Sequence, residues 1–383
     1  MKITGIICEY NPFHAGHKKQ LDLIRSQQDA DSGIVCLMSG NFVQRGAPAI
    51  LDKSLRAKAA VLCGADLVLE LPVTAALSSA EGFAAKGVSI LSGFCNSLCF
   101  GAETDRPDRL TAIAAALLSE DFPPALRKEL DKGLSFPAAR QVALNAMGLD
   151  GNLPSTPNNI LAVEYCKAIL SQESAMMPMP ILRQGNYHDT TPDKENPSAT
   201  ALRQTMTAGQ DWSSYIPAEA HSCFRDAPLY TISSGERAIL ARLRTMTDED
   251  FEALPYGSEG LWRKLMHAVR TEDTLKNILN ATKSKRYTRT RLDRMVMCGF
   301  LGITQSLLDA PVPYVRVLAF NDKGRDILRR ARETGSFPNI GQQQDDPYQI
   351  FENRWGDLYE LFRTDALGPA GQEKKRRVYH HAQ

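Results

Sequence analysis

Residues 3–26 read ITGIICEYNPFHAGHKKQLDLIRS, and their pattern predicts a strand, a short loop and a helix in immediate succession. The apolar run Ile3–Cys8 has the length of a buried strand, and Gly16–Ser26 has helical character. The tetrapeptide His14-Ala15-Gly16-His17 lies where this helix begins. A helix start carries free backbone N–H groups and a partial positive charge, so it attracts phosphate. We therefore predict an anion site at this tetrapeptide.

The two histidines indicate the chemistry of that site. His14 and His17 share one face of the helix start, and Gly16 admits a phosphate close to the backbone. Two imidazoles there can donate hydrogen bonds to phosphate oxygens as negative charge develops on them. H-x-G-H after a first strand is typical of nucleotidyl transfer, the attack on the α-phosphate of a nucleoside triphosphate with loss of pyrophosphate. We predict His14 and His17 as catalytic residues.

The plainer interpretations are that these histidines are surface residues or metal ligands. Metal-binding histidines on a helix usually stand at i and i+4 with a further ligand, and no convincing third ligand follows here. The eight cysteines are scattered through mostly apolar segments. Cys95 and Cys99 form C-x-x-x-C without a third partner at zinc or iron–sulfur spacing. We predict no metal site made of side chains, and reduced cysteines in the core.

Composition places few limits on partners. The 383 residues favour two or three domains, and 43% hydrophobic and 23% charged residues are ordinary for a globular protein. With a net charge of +1, an anionic partner must be met by local patches. No apolar run approaches the length of a membrane span, and the N-terminus shows no signal-peptide pattern. We expect a cytoplasmic protein with no membrane partner and no obligate protein partner.

The first two hundred residues alternate strand and helix. Helical patterns separate five apolar runs of strand length: Ile3–Cys8, Gly33–Met38, Leu67–Leu71, Ser97–Phe100 and Met179–Arg183. Buried strands spaced by helices predict an α/β fold with a doubly wound parallel sheet. Such sheets bind ligands outside the carboxyl ends of their strands, which is where the H-x-G-H tetrapeptide falls.

The second half of the chain has a different character. Helical patterns predominate after about residue 211, interrupted by one strand-like run at Tyr314–Phe320. We therefore divide the chain into a catalytic domain at residues 1–210 and a mainly helical domain at residues 211–383. The polar stretch Gly185–Ser198 is predicted to be a loop near the site. The charged run Glu373–Arg377 is predicted to be frayed and solvated.

Further residues fit one nucleotide site. The loop Gly40–Gly46 offers the guanidinium of Arg45, and Gly101 after the fourth strand can admit an adenine ring against the backbone. Arg183 ends the fifth strand, where a cation meets a triphosphate. The alternatives are an ordinary surface loop for Gly40–Gly46 and a plain turn at Gly101. Asn158 and Asn159 precede a helix, and at least one of them can be a simple N-cap.

Ser198, Thr200 and Arg203 form a second candidate anion site. A hydroxyl-rich turn opens a predicted helix, and Arg203 lies three residues after Thr200 on the same face. The alternative is a serine N-cap followed by a solvated arginine. Together with H-x-G-H, we favour phosphate binding.

A basic cluster near residue 290 suggests a polyanionic partner. Six cations occur in a short window with only Asp293 opposing them and Tyr287 interleaved: Lys283, Lys285, Arg286, Arg289, Arg291 and Arg294. This charge density favours nucleic acid. The alternative is a solvated charged helix face.

These segments together resemble the bacterial tRNA(Met) cytidine acetate ligase family. The resemblance runs from residue 1 to about 325 and rests on Cys8–His17 (CEYNPFHAGH), Met38–Gly46 (MSGNFVQRG), Phe100–Glu103, Pro157–Leu161, Ser198–Arg203 and Ser284–Thr288. The run E-Y-N-P-F-H-x-G-H is far more restrictive than H-x-G-H alone. Beyond about residue 335 no usable motif occurs.

The resemblance implies a nucleotidyltransferase-type domain that converts ATP and acetate to acetyl-adenylate and pyrophosphate. The acetyl group then passes to N4 of the wobble cytidine of elongator tRNA(Met). Magnesium is expected to accompany the triphosphate as a cofactor. Two alternatives stay open: an adenylyltransferase acting on a small cofactor precursor, and a non-catalytic tRNA-binding protein on the same fold.

The resemblance also implies site residues. The ATP-binding set is Ile7, Cys8, Glu9, Tyr10, Asn11, Pro12, Phe13, His14, Ala15, Gly16, His17, Lys18, Lys19, Gln20, Gly101, Asn158 or Asn159, and Arg183, to which we add Ser198, Thr200 and Arg203. Ala199 stands where related adenylyltransferases usually have serine, so one hydroxyl contact is absent. The tRNA-binding set is Lys283, Lys285, Arg286, Arg289 and Arg291.

Overall fold

The computed structural model describes residues 1–29, 31–183, 197–284, 286–333 and 347–382. Lys285 and nearly all of the predicted loop Gly185–Ser198 lie outside these described residues. The strands found in the described part are β1 (Ile3–Cys8), β2 (Gly33–Ser39), β3 (Phe42–Val43), β4 (Ala47–Pro48), β5 (Leu67–Leu71), β6 (Ser97–Ala102), β7 (Met177–Leu182), β8 (Val317–Asn321) and β9 (Tyr379–His381).

Seven of these strands form one sheet in the order β7-β6-β1-β2-β5-β8-β9. The pairs within β7-β6-β1-β2-β5 are all parallel, so the predicted doubly wound sheet is confirmed. The second half of the chain adds two strands, since β8 pairs antiparallel with β5 and β9 pairs parallel with β8. The strand-like run Tyr314–Phe320 thus contributes to the sheet of the first half, and β9 was not predicted. The short strands β3 and β4 pair with each other as a separate hairpin.

Helices connect the strands and make up most of the second half. Their bounds are α1 (Ala15–Ser26), α2 (Lys53–Leu62), α3 (Val73–Ala76), α4 (Ala80–Leu91), α5 (Pro107–Leu118), α6 (Phe122–Leu130), α7 (Phe136–Ala146), α8 (Pro157–Ser171), α9 (Ala199–Thr207), α10 (Ala218–Phe224), α11 (Ile232–Arg244), α12 (Asp248–Glu252), α13 (Leu261–Thr271), α14 (Leu275–Thr282), α15 (Arg289–Leu301), α16 (Gln305–Asp309), α17 (Asp322–Glu333), α18 (Pro347–Glu360) and α19 (Gln372–Lys375). Helix α18 follows the residues 334–346 that the structure does not describe, and sequence analysis did not predict it.

Apolar cores cover both faces of the sheet. Ile3 and Ile7 of β1 face a core shared with α4, α5 and α8, whereas Ile6 faces a core shared with α1 and α2. Successive side chains of a strand point to opposite faces, so a strand covered on both faces must be apolar at nearly every position. This requirement explains the uninterrupted apolar run of β1.

A third core lies among the helices of the second half, and residues of the first half contribute to it. Phe42, Val73 and Leu77 belong to the same apolar cluster as Leu243 and Trp355. The helical part is therefore packed on the loops that follow β2 and β5. The division at residue 210 stays a prediction, and packing interactions cross it.

The prediction that Glu373–Arg377 is frayed and solvated is wrong for Glu373 and Arg376, which are held in the fold, whereas Lys374, Lys375 and Arg377 are exposed. Glu373 is 2% exposed. Its Oε1 lies 2.6 Å from Nζ of Lys53, and Arg376 forms a bidentate pair with Asp52 at 2.5 and 2.9 Å. Arg316 also pairs with Glu373. Buried charges are retained in a fold when partners of opposite sign satisfy them. Here Lys53 and Asp52 lie about 320 residues earlier in the chain, and Arg316 lies 57 residues before Glu373.

Gly46 allows the loop after β3 to touch α15. Its φ is +74°, a left-handed conformation that favours glycine. An added Cβ would lie 2.4 Å from the backbone N of Arg294 and 2.4 Å from the backbone C of Asp293. The β3–β4 hairpin thus contacts α15 so closely at Gly46 that there is no room for a side chain.

We expect Gly46→Ala to destabilise the protein by more than about 2 kcal/mol, since the left-handed backbone alone costs about 1–2 kcal/mol in a residue with a Cβ. Gly148→Ala is the matched control, because Gly148 also has a positive φ of +78° but no atom within 4 Å of an added Cβ. Urea unfolding measures both free energies. Equal losses in the two variants would show that the contact with α15 contributes nothing.

Candidate functional site

The H-x-G-H tetrapeptide lies where predicted, after β1 and at the start of α1. His14 is the N-cap of α1, with extended backbone angles (φ −147°, ψ 174°). The backbone N–H of Gly16 donates to Nδ1 of His14 at 3.1 Å, and the backbone N–H of His14 donates to Nδ1 of His17 at 3.3 Å. The two imidazole rings stack with their centroids 3.7 Å apart. The pair is therefore held by a reciprocal capping box.

These hydrogen bonds determine the tautomer of both rings. An Nδ1 that accepts a hydrogen bond carries no proton, so each neutral imidazole holds its proton on Nε2. Neither Nε2 atom donates to any residue in the part of the chain that the structure describes. Two N–H donors are therefore available to a ligand at the helix start.

Both histidines are held neutral. Burial, together with the charges of Arg183 and Arg203, lowers the pKa of His14 to about 3. Burial and the neighbouring His14 and Arg183 lower the pKa of His17 well below its ordinary value. Neutral imidazoles next to two guanidinium groups are suited to donate to an anion without adding further positive charge to a crowded site.

The neutral imidazoles predict a pH dependence of stability. An unfolded histidine has a pKa of about 6.5, whereas that of His14 in the fold is about 3. Between these values the unfolded chain binds more protons. Stability is therefore complete above about pH 6.5 and falls at lower pH, by up to about 1.4 kcal/mol per pH unit for one such histidine. Urea unfolding at several pH values between 5 and 7 measures the slope, and His14→Asn should make it shallower. An identical slope in this variant would contradict the assignment.

Two aromatic rings pack against the ring of His17. The Tyr10 ring lies 4.8 Å and the Phe13 ring 5.6 Å from the ring of His17, centroid to centroid. Both aromatic side chains are fully enclosed, and the Tyr10 hydroxyl contacts Sγ of Cys36 at 3.3 Å. Within the predicted ATP segment, these two residues therefore act as supports for His17.

The remaining residues of the Ile7–Gln20 segment divide into anchors and surface groups. Asn11 accepts from the backbone N–H of Ile50 at 2.7 Å, and Glu9 accepts from that of Gln44 at 2.9 Å, so both fix the loop.

Ile7, Pro12 and Phe13 are buried. On the outer face of α1, Lys18 pairs with Asp22 and Lys19 is exposed. Cys8 and Gln20 are partly buried, and Ala15 and Gly16 form the first turn.

Sequence analysis missed one residue that holds this loop. Arg56 of α2 is fully buried, and its guanidinium donates to the backbone carbonyls of Glu9 and Leu51 at 2.6 and 2.8 Å. It also donates to those of Ser39 and Gly40. On the sequence Arg56 resembles any surface arginine of an amphipathic helix, so no local pattern marks it.

Gly101 and Arg183 lie together at the ends of β6 and β7. An added Cβ on Gly101 would lie 2.8 and 2.9 Å from Cδ and Cγ of Arg183, so the stem of this arginine covers the glycine. The Arg183 guanidinium donates to Oδ1 of Asn158 at 3.2 Å. The structure thus brings three of the predicted nucleotide-binding residues into one cluster.

Glu103 organises the asparagine pair. One carboxylate oxygen accepts from the backbone N–H of Asn159 at 3.0 Å, and the other accepts from Nδ2 of Asn158 at 2.7 Å. Asn159 is buried, accepts from the backbone N–H of Glu103 and donates to the carbonyl of Leu153. Its side chain is therefore committed to the fold, whereas Asn158 is partly exposed beside Arg183.

A helix, α9, begins after Ser198, where the sequence pattern predicts a helix start. Ser198 is the N-cap, and its hydroxyl accepts from the backbone N–H of Ala201 at 3.5 Å. Arg203 donates to the Thr200 hydroxyl at 3.0 Å and to the backbone carbonyl of Asn11 at 2.8 Å. The second contact joins α9 directly to the loop before His14, and burial lowers the pKa of Arg203.

The basic segment is partly committed to local contacts. Arg286 pairs with Glu259 at 2.7 Å and Arg289 with Asp293 at 2.9 Å, so Asp293 is not the only opposing acid. Arg291 donates to the backbone carbonyl of Tyr256 at 2.9 Å. Arg294 is buried and Lys283 is exposed.

Arg294 and Glu9 connect α15 to the loop before His14. Arg294 donates to the backbone carbonyl of Gln44 at 3.4 Å, and the backbone N–H of Gln44 donates to Glu9 at 2.9 Å. These contacts join the middle of α15 to the loop that precedes His14.

The described residues contain no group of three or more His, Cys, Asp or Glu side chains that could hold a metal ion. None of their helices combines the length and the apolar character needed to cross a membrane.

The chain was compared with known families and proteins. The profile of the HIGH Nucleotidyl Transferase family matches residues 1–371. The tRNA(Met) cytidine acetate ligase of Clostridium tetani (strain Massachusetts / E88) is 37% identical over 365 residues, which cover 89% of this chain and 90% of that protein. The chain belongs to the tRNA(Met) cytidine acetate ligase family. This result confirms the resemblance, and the matched region extends beyond the roughly 325 residues in which the motifs occur.

Other members of the tRNA(Met) cytidine acetate ligase family agree in length and shape. The relative from Acetivibrio thermocellus is 34% identical over 418 residues and covers 97% of this chain and 98% of its own. Crystal structures of Thermotoga maritima TmcAL, without ligand and bound with alpha-thio ATP, superpose with TM-scores of 0.91 and 0.89. Their identities are 27% and 28%, and each covers 100% of both chains.

Proposed function

We propose that this protein activates acetate with ATP and transfers the acetyl group to N4 of the wobble cytidine in elongator tRNA(Met). The observation that carries the proposal is the stacked pair His14 and His17 at the start of α1, with two Nε2–H donors available to a ligand. Membership of the family supports the choice of acid and RNA. The binding of alpha-thio ATP by Thermotoga maritima TmcAL supports the nucleotide.

In the first step, a carboxylate oxygen of acetate attacks the α-phosphorus of ATP in line. The bond between that phosphorus and the oxygen bridging to the β-phosphate breaks, and pyrophosphate leaves with the electron pair. Negative charge crowds on the α-phosphate oxygens as the new bond forms. The Nε2–H groups of His14 and His17 and the N–H groups of the first turn of α1 stabilise this charge.

In the second step, the N4 lone pair of cytidine attacks the acetyl carbonyl carbon. The bond from this carbon to the adenylate oxygen breaks, AMP leaves with the electron pair, and N4 releases one proton to solvent. This step needs the base to approach the mixed anhydride closely, so positioning contributes most of the acceleration.

The other predicted site residues fit supporting roles. Gly101 and Asn158 are assigned to the nucleoside end of ATP, and the neighbouring Arg183 is assigned to the triphosphate. Asn159 is assigned to the fold because its amide is fully engaged. Ser198, Thr200 and Arg203 are assigned to the phosphates, because a helix start and a guanidinium both attract anions.

Magnesium is proposed only as a companion of the triphosphate. The described residues contain no group of three or more His, Cys, Asp or Glu side chains that could hold a metal ion. No step above is assigned to this ion.

The proposed RNA surface consists of Lys283, Lys285, Arg286, Arg289 and Arg291. Of the described members, Lys283, Arg286 and Arg289 are exposed and can meet phosphates, whereas Arg291 is tied to Tyr256. The contacts from α15 through Gln44 to Glu9 support docking of RNA beside the catalytic loop.

We retain residues 1–210 as the ATP-binding part, residues 211–383 as the RNA-binding part, and the cytoplasm as the proposed location.

Exchange of labelled pyrophosphate into ATP tests the first step. We expect exchange that requires acetate, is weak with formate or propionate, and needs no tRNA. In a second assay, labelled acetate should appear in an elongator tRNA(Met) transcript and not in a transcript with uridine at the wobble position. Exchange supported only by a cofactor precursor would favour a small-molecule adenylyltransferase. Tight tRNA binding without any exchange would favour a non-catalytic protein.

A further inference from the structure

One cavity is lined by eight residues, of which Thr200 and Arg203 are assigned to the ATP phosphates above and the other six are not. It has a volume of about 470 Å³ and lies between α9 and the segments around Ile50 and Tyr230. Pockets of roughly 300–1,000 Å³ hold small organic ligands. Acetate would fill only a small part of this space, and the cavity has room for a larger group.

The cavity shares a wall with the catalytic site. Thr200 and Arg203 line it, and Arg203 also donates to the backbone carbonyl of Asn11, three residues before His14. The side-chain oxygen of Asn11 accepts a hydrogen bond from the backbone N–H of Ile50. The backbone carbonyl of Ile50 accepts one from the backbone N–H of Tyr230. The floor of the cavity is thus bonded to the loop that carries the histidines.

The cavity lies on the other side of His14 from the proposed nucleoside site. Gly101 and Arg183 belong to β6 and β7, which lie on one side of β1 in the sheet. Ile50 follows the β3–β4 hairpin, which comes after β2 on the opposite side of β1.

The lining chemistry fits a nucleobase. Gln204 and Thr207 line the cavity from one face of α9, and the Gln204 amide makes no hydrogen bond to any described residue. Its adjacent acceptor and donor match the N4 amino group and N3 of cytosine. Ile50 and the edge of Tyr230 add an apolar wall, and Tyr230 is held by stacking on Tyr359 at 4.0 Å. Unpaired RNA bases are recognised by this combination of apolar contact and hydrogen bonds to the base edge.

We propose that this cavity receives the target cytidine base of the RNA and that Gln204 is a specificity-determining residue that hydrogen-bonds its N3 and N4 edge. The inference rests on the proposed function and adds the location of the acceptor base.

The test compares two reactions in the full-length protein: acetate-dependent ATP–pyrophosphate exchange, and acetyl transfer to an elongator tRNA(Met) transcript. Gln204→Leu removes the hydrogen bonds, and Gln204→Trp also fills the cavity. We expect Gln204→Leu to lower transfer about tenfold or more, the size expected for a bidentate contact with a base. Gln204→Trp should lower it further, and exchange should stay within about twofold of wild type in both variants.

Gln305→Trp on the exposed surface of α16 is the matched control and should leave both reactions unchanged. Wild-type transfer rates in both Gln204 variants would overturn the inference. Parallel loss of exchange would also overturn it, because the cavity would then belong to the ATP site. If wild-type protein shows no exchange, or exchange without transfer, the proposed function itself fails.

Discussion

His14→Ala and His17→Ala should each lower acetate-dependent adenylate formation by about a hundredfold or more, the effect of removing one preorganised donor from a developing oxyanion. The physical reason is that each neutral ring presents an Nε2–H at the start of α1, where charge crowds on the α-phosphate. The loss should appear in kcat as well as in kcat/KM, since these donors act mainly in the transition state. Pyrophosphate exchange and single-turnover formation of acetyl-adenylate measure it.

A cap-preserving variant separates this chemical role from a structural one. His14→Ala also removes an N-cap, which typically costs about 1 kcal/mol of stability. His14→Asn restores a good N-cap acceptor but lacks the Nε2–H donor. We expect wild-type stability and the same loss of exchange in His14→Asn. Near-wild-type exchange in this variant would mean that His14 serves only the helix start.

Neutralising Lys283, Arg286 and Arg289 together should separate the two reactions of the enzyme. Arg286 pairs with the exposed Glu259 and Arg289 with the partly buried Asp293. Both arginines are themselves exposed, and ion pairs of exposed cations contribute little in solvent, so these cations can exchange the acids for RNA phosphates. The triple glutamine variant should bind tRNA at least about tenfold more weakly. In a plot of the logarithm of the binding constant against the logarithm of the salt concentration, its slope should be smaller in magnitude by about two. It should still form acetyl-adenylate at the wild-type rate but transfer little acetyl group to tRNA.

A second triple variant controls for the loss of charge. Lys128 of α6 and Arg325 and Arg329 of α17 are exposed, and α17 packs near the start of β2, away from the carboxyl ends of the strands. Replacing these three by glutamine removes the same charge and should leave tRNA binding nearly unchanged. Equal weakening in both variants would assign the effect to net charge. Loss of exchange in the first variant would place its residues in the catalytic site.

The candidate site could be predicted from sequence where its geometry is local. His14, Gly16 and His17 are connected by hydrogen bonds that span two or three residues, so the strand–loop–helix pattern was sufficient to place them. Contacts between distant segments could not be predicted in this way. The choice between Asn158 and Asn159 depends on Glu103, more than fifty residues earlier.

Local patterns were enough to predict the parallel core strands of the sheet, because strands buried on both faces are apolar at nearly every position. They were also enough to place the start of α1 at His14, because capping acts within a single turn. Three features are visible only in the tertiary structure: the pairing of β8 with β5, the ion pair of Glu373 with Lys53, and the cavity beside Gln204. Each of these joins segments far apart in the chain. An apolar face or a charge in the sequence shows that a partner is needed, but which segment supplies that partner depends on how the whole chain packs.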